Sequence, residues 1–404
     1  MSVRRLLNRA LLAAVLGALV VPAGAAAAGR SVPRGWLGVT LDSVIAARHG
    51  GVDREIARMP RAGVESVRVA VYWSHMQPYR RRSAVPRRLR SHFRHSVHRV
   101  PTDYHALDTL ARSAARHRLR LAPVVLAAPK WAAAARGRPT LVPGHPADYA
   151  RFVAALARRY GSHGRFWRAH RRLHREPIHR WQIWNEVSNL WYWDESWATS
   201  YPRLLRAAYD AIKAADPRAT VLMAGLNTGG AGQASGSLLS WTVLDRIYDG
   251  LDAQGLGRPF DATAAHIYTR TVRQAVRVVR RTRAVMERHG DKRPIDVTEL
   301  AWPASKGKLR DRRGRPRTFF AETDNRGMAR RLRRGIRALA RHRRGLRIGG
   351  VAWYQWISRY SGTTDAFAYS GLRRAHRRRV EDMPAMAAFR SVAARLEGRR
   401  LSRR

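Results

Sequence analysis

The 404-residue sequence contains no cysteine. Structural disulfides, thiolate nucleophiles and cysteine-based zinc sites are therefore excluded. Other catalytic signatures are missing as well: the sequence has no G-x-S-x-G nucleophile elbow, no H-E-x-x-H motif among its 16 histidines and no G-x-G-x-x-G dinucleotide turn. We therefore expect a protein that uses neither a metal ion nor a cofactor.

Acidic residues and lysine are scarce. The chain has 78 Lys and Arg against 28 Asp and Glu, a net charge of +50, and only 5 of the 78 are Lys. So basic a chain has the electrostatic footprint of a phosphate binder. However, zinc-finger, homeodomain and RRM signatures are absent, and the skew toward Arg beside abundant Ala is typical of a GC-rich coding sequence. We therefore expect no specific nucleic-acid partner.

An apolar run of secretory type lies at the N-terminus. Three arginines within residues 4–9 precede apolar residues 10–21, and small residues follow. At about 12 residues the run is short for a membrane span of ~20, so it indicates a signal peptide of the Sec or twin-arginine type. We expect residues 1–28 to be removed on export, with an uncleaved anchor as the alternative. Residues 29–404, which end in a basic tail, contain no run long enough to span a bilayer, and we expect them to be secreted.

Short β-rich runs alternate with amphipathic helical patterns along the remaining chain. The predicted strands are Trp36–Leu41, Ser66–Tyr72, Leu121–Leu126, Ile178–Trp184, Thr220–Gly225, Asp261–His266, Ile295–Thr298 and Ile348–Trp353. The predicted helices are Asp53–Ala62, Tyr104–His117, Ala147–Tyr160, Tyr201–Ala215, Leu238–Tyr248, Val272–His289, Asn325–His342 and Pro384–Leu396. This alternation predicts an α/β fold, a single-domain (β/α)8 TIM barrel with long loops. A doubly wound open sheet is the alternative, but it usually has fewer strands.

Two of the ten glutamates directly follow predicted strands: Glu186 follows the fourth and Glu299 the seventh. Catalytic groups of a barrel lie at the carboxyl ends of its strands. Two carboxylates that flank a cleft can cleave a glycosidic bond, since one, kept neutral by a raised pKa, protonates the leaving oxygen while the other attacks the anomeric carbon. We predict that these two glutamates are the catalytic pair.

Other polar and aromatic residues at the strand ends are candidates for substrate contacts. Asn185 can hydrogen-bond a sugar hydroxyl, Arg68 can keep the Glu299 carboxylate ionised, and Tyr268 can donate a hydrogen bond to it. His266 is either a core residue or a partner of a sugar or carboxylate. Flat aromatic faces suit pyranose rings, with core packing as the alternative. The tryptophans predicted to contact sugar are Trp73, Trp131, Trp191, Trp193, Trp302, Trp353 and Trp356.

These motifs resemble clan A of the retaining glycoside hydrolases. The resemblance rests on Trp184-Asn185-Glu186 after one strand, Thr298-Glu299 after a later one and His266-Ile267-Tyr268 between them, and it spans about residues 35–396. Residues 183–193 and 211–217 are similar to family 39 β-xylosidase-like enzymes, while Arg68 and the overall order also suit the family 5 cellulases. Val187-Ser188 departs from the clan, in which a proline often follows the glutamate.

The resemblance implies a role for each matching residue. Glu186 is expected to be the acid/base, Glu299 the nucleophile and Asn185 the ligand of the sugar 2-hydroxyl. It also implies supporting residues and a sugar platform: Arg68, His266 and Tyr268 support the pair, and Trp353 or Trp356 forms the platform.

The sequence thus favours a secreted retaining glycosidase that acts on a β-linked glycan or glycoside. The alternative is a non-catalytic barrel that binds acidic polysaccharide or another polyanion through the basic loops 80–99 and 306–317. A third possibility combines these two functions in an enzyme whose basic rim attracts glycan chains that contain uronic acid.

Overall fold

A closed barrel of eight parallel strands forms the centre of the protein. The computed structural model describes residues 29–41, 51–134, 140–194, 196–228, 239–376 and 379–399. The barrel strands are β1 (Leu37–Leu41), β2 (Ser66–Tyr72), β3 (Arg120–Leu126), β4 (Arg180–Ile183), β5 (Thr220–Asn227), β6 (Ala262–Tyr268), β7 (Ile295–Ala301) and β8 (Ile348–Trp353). Each strand pairs with the next in the chain, and β8 pairs with β1 to close the ring. The predicted TIM-barrel fold is confirmed.

A helix of seven or more residues follows each barrel strand. These helices are α1 (Val52–Arg58), α2 (His105–Arg116), α3 (Pro146–Tyr160), α4 (Trp197–Ala215), α5 (Ser240–Ala253), α6 (Val272–Arg288), α7 (Asn325–Arg341) and α8 (Pro384–Leu396). Each presents an apolar stripe to the barrel: in α6 the buried residues include Val278, Val279, Val285 and Met286, at the three- and four-residue spacing of one helix face. Among the described residues, no helix is long and apolar enough to cross a membrane.

Some boundaries differ from the predicted ones for local reasons. Strand β4 stops at Ile183 because Trp184 has a φ of 68°, outside the β region. Helix α1 stops at Arg58 and a 3-10 turn follows over Pro60–Ala62, because proline lacks the N–H that a longer helix needs. Helix α4 begins four residues before the predicted Tyr201. Residue 238, the predicted start of α5, lies outside the described residues, as does the predicted signal peptide.

Two small sheets are added to the barrel. A hairpin of His95–Val97 and Val100–Thr102 lies in the long loop after β2. A three-stranded sheet of Ile357–Ser358, Arg373–His376 and Arg379–Asp382 lies between β8 and α8. The loop after β2 therefore adds its own structure to the barrel face at which the strands end.

Candidate active site

Glu186 and Glu299 meet at the carboxyl end of the barrel. Glu186 lies just beyond β4 and Glu299 within the last residues of β7, and both are buried. One carboxylate oxygen of each glutamate and a ring nitrogen of His266 all lie within 4.8 Å of one another. The structure thus brings together the two predicted glutamates and a histidine from the strand β6 that lies between β5 and β7.

The backbone around Glu186 is held in an uncommon conformation. Trp184 and Glu186 have φ values of 68° and 39°, in the left-handed region that side-chain-bearing residues rarely adopt. Glu186 N donates to Gly225 O at 3.1 Å, and Asn185 forms a β-bridge with the same glycine of β5. The neighbouring strand therefore fixes the turn that directs Glu186 toward Glu299, and strain of this kind is concentrated at functional sites.

Both oxygens of Glu299 accept hydrogen bonds. Arg68 Nη1 donates to Oε1 at 2.7 Å, and the Tyr268 hydroxyl donates to Oε2. The other nitrogens of the same guanidinium donate to Gln182 Oε1 and Asn185 Oδ1, each at 2.8 Å. Burial and the nearby Glu299 charge raise the pKa of Tyr268 well above its ordinary value, so the hydroxyl keeps the proton that it donates. These contacts stabilise Glu299 as an anion.

Glu186 has different neighbours. His266 Nδ1 lies 2.7 Å from Oε1, and Asn189 Nδ2 donates to Oε2 at 3.1 Å. Burial raises the pKa of Glu186, but the hydrogen bonds with His266, Asn227 and Asn189 outweigh it, so the pKa lies below its ordinary value. A general acid is expected to have a raised pKa, so the lowered pKa of Glu186 differs from the prediction. The main cause is the contact with His266. The sequence leaves two alternatives for this histidine, a core residue or a partner of a sugar or carboxylate.

His266 is positioned by close packing against Gly225. A Cβ atom on Gly225 would lie 1.9 Å from His266 Nε2, so the imidazole fits only because this position is glycine. His266 is fully buried, and its Nδ1 also lies 3.5 Å from Glu299 Oε2. The ring therefore stands between the two carboxylates.

A pocket of about 520 Å³ opens above the glutamates. Its walls combine polar, basic and aromatic side chains: Asn185, Asn189, Tyr192, Asn227, Tyr268, Arg270, Arg317, Phe319, Phe320, Tyr354 and Phe367 line it. Arg317 comes from the basic loop 306–317, which follows β7. A cleft with converging polar groups and aromatic walls has the form of a small-molecule or sugar site.

The predicted tryptophans are divided between surface and core. Trp191, which follows Glu186, is 59% exposed, and Trp131 is half-buried at the wall of a neighbouring groove. Five others are at most 2% exposed, namely Trp73, Trp193, Trp302, Trp353 and Trp356. The indole N–H of each donates inside the protein, to Gln77, Ser200, Thr269, Ser370 and Glu55 respectively. A ring with no exposed face cannot stack on a sugar, so we assign these five to the core.

The sequence does not predict a role for several residues of the site. Asn189 lies three residues after Glu186, and Tyr192 lies six residues after it. Turns in this segment return the chain to the pocket, which both side chains line. Gln182 faces the barrel interior two residues before Trp184. Its signal is a polar side chain between the apolar Trp181 and Ile183, since only a buried partner such as Arg68 offsets the cost of burying it.

Among the described residues, one cluster has donor atoms close enough together to hold a metal ion. It consists of Glu186, His266 and Glu299. The donor set suits a transition metal by atom type. However, the Arg68 guanidinium is in contact with Glu299 at 2.7 Å, and its positive charge opposes a cation at the same carboxylate. The site therefore fits a metal poorly.

The fold is shared with several solved structures. These include a family 39 glycoside hydrolase from Bacteroides cellulosilyticus WH2 (TM-score 0.60, 18% identity, covering 91% of this chain and 64% of that one). A monomeric β-xylosidase from Caulobacter crescentus CB15 has a TM-score of 0.60 at 13% identity over 91% of this chain and 69% of its own. A family 53 catalytic domain from Ignisphaera aggregans has a TM-score of 0.55 at 17% identity over 89% and 97%.

No protein-family model and no curated protein matches the sequence. The chain spans slightly less than two thirds of the length of the Bacteroides enzyme. At these identities the comparisons establish a common fold, in agreement with the fold that the motifs implied.

Proposed function

We propose that this protein is a retaining glycoside hydrolase that cleaves β-glycosidic bonds by double displacement. The proximity of the glutamates carries the proposal: one carboxylate oxygen of Glu186 and one of Glu299 lie within 4.8 Å of each other. Retaining enzymes hold their carboxyl groups about 5–5.5 Å apart, whereas inverting enzymes separate them by about 6.5–9.5 Å to admit a water. The structures with the same fold, which include a family 39 glycoside hydrolase and a β-xylosidase, support it.

The contacts of Glu299 with Arg68 and Tyr268 favour it as the nucleophile, which leaves the acid/base role to Glu186. Glu299, held as an anion by Arg68 and Tyr268, attacks the anomeric carbon while Glu186 donates its proton to the leaving oxygen. A covalent glycosyl-enzyme forms at Glu299. Glu186, now a carboxylate, then removes a proton from a water molecule, which attacks the anomeric carbon and releases the sugar with its original configuration.

The side chains around the pair align these steps. Asn185 is fixed by Arg68 through its Oδ1, which leaves the amide nitrogen to donate to a sugar hydroxyl in the pocket. Trp191 is exposed and precedes Tyr192, which lines the pocket, so its indole is available to stack on a neighbouring sugar ring. The reaction needs neither a metal nor a redox cofactor, because proton transfer and nucleophilic attack suffice.

Chemical rescue tests the two roles separately. With activated aryl β-glycosides, we expect Glu299→Ala and Glu186→Ala to lose nearly all hydrolysis. Azide should restore turnover in both, giving the α-glycosyl azide with Glu299→Ala and the β-glycosyl azide with Glu186→Ala, because azide replaces the nucleophile in one and intercepts the intermediate in the other. Glu287→Ala, an exposed glutamate on α6, is the matched control and should behave as the wild type. Wild-type turnover in both active-site variants would contradict the assignment.

The cellular location is a separate part of the proposal. The basic start and apolar run of residues 1–28 support export through a signal peptide and secretion of residues 29–404. Expression of the full chain followed by N-terminal sequencing of the protein in the medium tests this. A new N-terminus near residue 29 is expected, and retention of an intact N-terminus in the membrane fraction would favour the uncleaved anchor.

A second function, non-catalytic binding of acidic polysaccharide, is motivated by the basic loops. A screen of aryl glycosides and of neutral and acidic polysaccharides separates the two functions. Glu299-dependent hydrolysis of any of these substrates favours the glycosidase. Binding that weakens steeply with rising salt, without hydrolysis, favours a non-catalytic polysaccharide-binding protein.

A further inference from the structure

A second cavity lies on the same face of the barrel as the glutamates. It measures about 930 Å³ and is formed by the loops that follow β2 and β3 and by the start of α3. We call it the cationic groove. The residues that define it are Arg80, Arg81, His98, Arg99, Trp131, His145 and Arg151. Because β3 pairs with β4, the loop after β3, which contributes Trp131 to the groove, follows the strand next to the one that leads to Glu186.

The groove has an excess of unpaired positive charge. Arg80, Arg81 and Arg99 are exposed, and no carboxylate of the described residues lies within ion-pair distance of them. The single acidic residue of its lining, Asp148, is already paired with Arg151. Three guanidinium groups that converge on one concave surface without acidic partners attract an anionic ligand.

The backbone holds part of this charge in a strained turn. His98 and Arg99 form the two-residue tip of the hairpin after β2, with φ values of 46° and 68°. Such turns strongly favour Asn-Gly, because both central residues need positive φ. Here a histidine and an arginine occupy these positions, and both line the groove. A turn that keeps side chains where glycine is favoured indicates a use for those side chains.

Trp131 supplies an apolar wall beside the arginines. Its Nε1 donates to Gln77 O at 2.7 Å, and its ring meets Trp73 edge to face at 5.8 Å, so the half-buried indole is held in one orientation. A fixed aromatic face beside guanidinium groups can contact the C–H face of a sugar ring and its acidic substituent together.

We propose that the cationic groove binds anionic sugar units of the glycan whose β-linkage is cleaved at Glu186 and Glu299. This inference rests on the proposed function, because it gives the groove and the catalytic pocket one ligand. The anionic group is a carboxylate or a sulfate, both of which pair with arginine. The groove lies outside the catalytic pocket, so its occupant belongs to a chain of several sugars rather than to a small glycoside.

Binding measurements test the proposal without turnover. In a Glu299→Ala background, Arg81→Gln/Arg99→Gln is compared with Arg333→Gln/Arg334→Gln, which removes the same charge from exposed positions of α7. The probes are a polyuronate, a sulfated polysaccharide, a neutral β-glucan and single-stranded DNA, each by calorimetry at low and high salt. Thermal unfolding of every variant checks the fold.

We expect the groove variant to bind the acidic glycan about tenfold more weakly, with a smaller salt dependence, while the α7 control binds as the parent. The polyuronate and sulfated arms identify the anionic group. Equal losses in both variants, equal binding of neutral and acidic glycans, or groove-dependent binding of DNA alone would overturn the proposal. A further outcome separates this inference from the proposed function. If acidic glycan binds in the groove but the wild type hydrolyses no glycan, the binding site is supported and the catalytic function is contradicted.

Discussion

The Arg68 guanidinium connects the two halves of the candidate active site, since it donates to Glu299 Oε1 at 2.7 Å and to Asn185 Oδ1 at 2.8 Å. Arg68 and Glu299 are both buried, so their attraction is little screened by water. Asn185 immediately precedes Glu186. One side chain of β2 therefore sets the position of the proposed nucleophile relative to the proposed acid/base.

Arg68→Lys should disrupt this connection. An ammonium group cannot reproduce the three directed hydrogen bonds of the guanidinium. We expect kcat/KM to fall about 100-fold, the usual cost of misplacing reacting groups by about 1 Å. Aryl glycoside kinetics measure this effect. Arg180→Lys, whose partner Asp296 lies away from the glutamates near the start of β7, is the control and should retain kcat/KM. Equal losses in the two variants would point to a general effect on folding.

The pH dependence should report on His266. Glu186 must be protonated for the first step, so kcat/KM falls as the pH rises through the Glu186 pKa, which the hydrogen bonds with His266, Asn227 and Asn189 hold below its ordinary value. His266→Phe removes the largest of these lowering contacts while burial remains. The Glu186 pKa should therefore rise, and the alkaline limb of the kcat/KM profile should move to higher pH. A limb that stays in place, or moves to lower pH, would contradict this role.

Gly225→Ala should displace His266. The new Cβ would lie 1.9 Å from Nε2, a distance at which one of the two groups must move. We expect the free energy of unfolding to fall by about 1–3 kcal/mol, as for other overpacked interiors, together with a loss of activity. Gly350→Ala on β8 is the matched control, because its Cβ would meet its nearest neighbour at an ordinary 3.5 Å. Denaturant unfolding and aryl glycoside kinetics on both variants give the comparison.

Chelation should leave the proposed glycosidase activity unchanged. The three possible ligands include Glu299, which is already paired with the Arg68 guanidinium at 2.7 Å. We expect prolonged treatment with EDTA to change kcat/KM by less than about twofold, since proton transfer and covalent catalysis account for the reaction. Loss of activity that zinc, calcium or manganese restores would show that the cluster holds a metal after all.

Much of the barrel follows from local patterns. Strand β2 and strand β8 have their predicted bounds because each is a β-rich run between clear helical or loop signals. Strand β4 is shorter than predicted, since nothing in the residue types reveals the left-handed backbone at Trp184. That conformation depends on contacts with neighbouring strands, since Trp184 N donates to Val125 O of β3 and Glu186 N to Gly225 O of β5. Local propensity does not encode contacts between residues so distant in the sequence.

The candidate site was predictable in its charged members and less so in its aromatic ones. Glu186 and Glu299 are predictable because each follows a predicted strand, where a barrel carries its catalytic groups. Arg68 lies within β2, where a buried charged side chain needs a partner. The sequence does not separate buried tryptophans from exposed ones, because core packing and sugar stacking favour the same residue type. Trp356 is fully buried, and Glu55 of α1 accepts its indole N–H at 2.8 Å, a contact between residues 301 positions apart.

This last contact gives a test of the core assignment of Trp356. Glu55 Oε2 also lies 2.9 Å from Arg373 Nε, and both charges are almost fully buried. Glu55→Gln keeps the shape but leaves Arg373 with Asp382 as its acidic partner. Because the buried Arg373 then loses one of its two carboxylate partners, we expect the free energy of unfolding to fall by about 2 kcal/mol. KM for aryl glycosides should stay unchanged well below the unfolding temperature, as in the exposed control Glu287→Gln, because Trp356 packs in the core. A higher KM without loss of stability would instead return Trp356 to the substrate site.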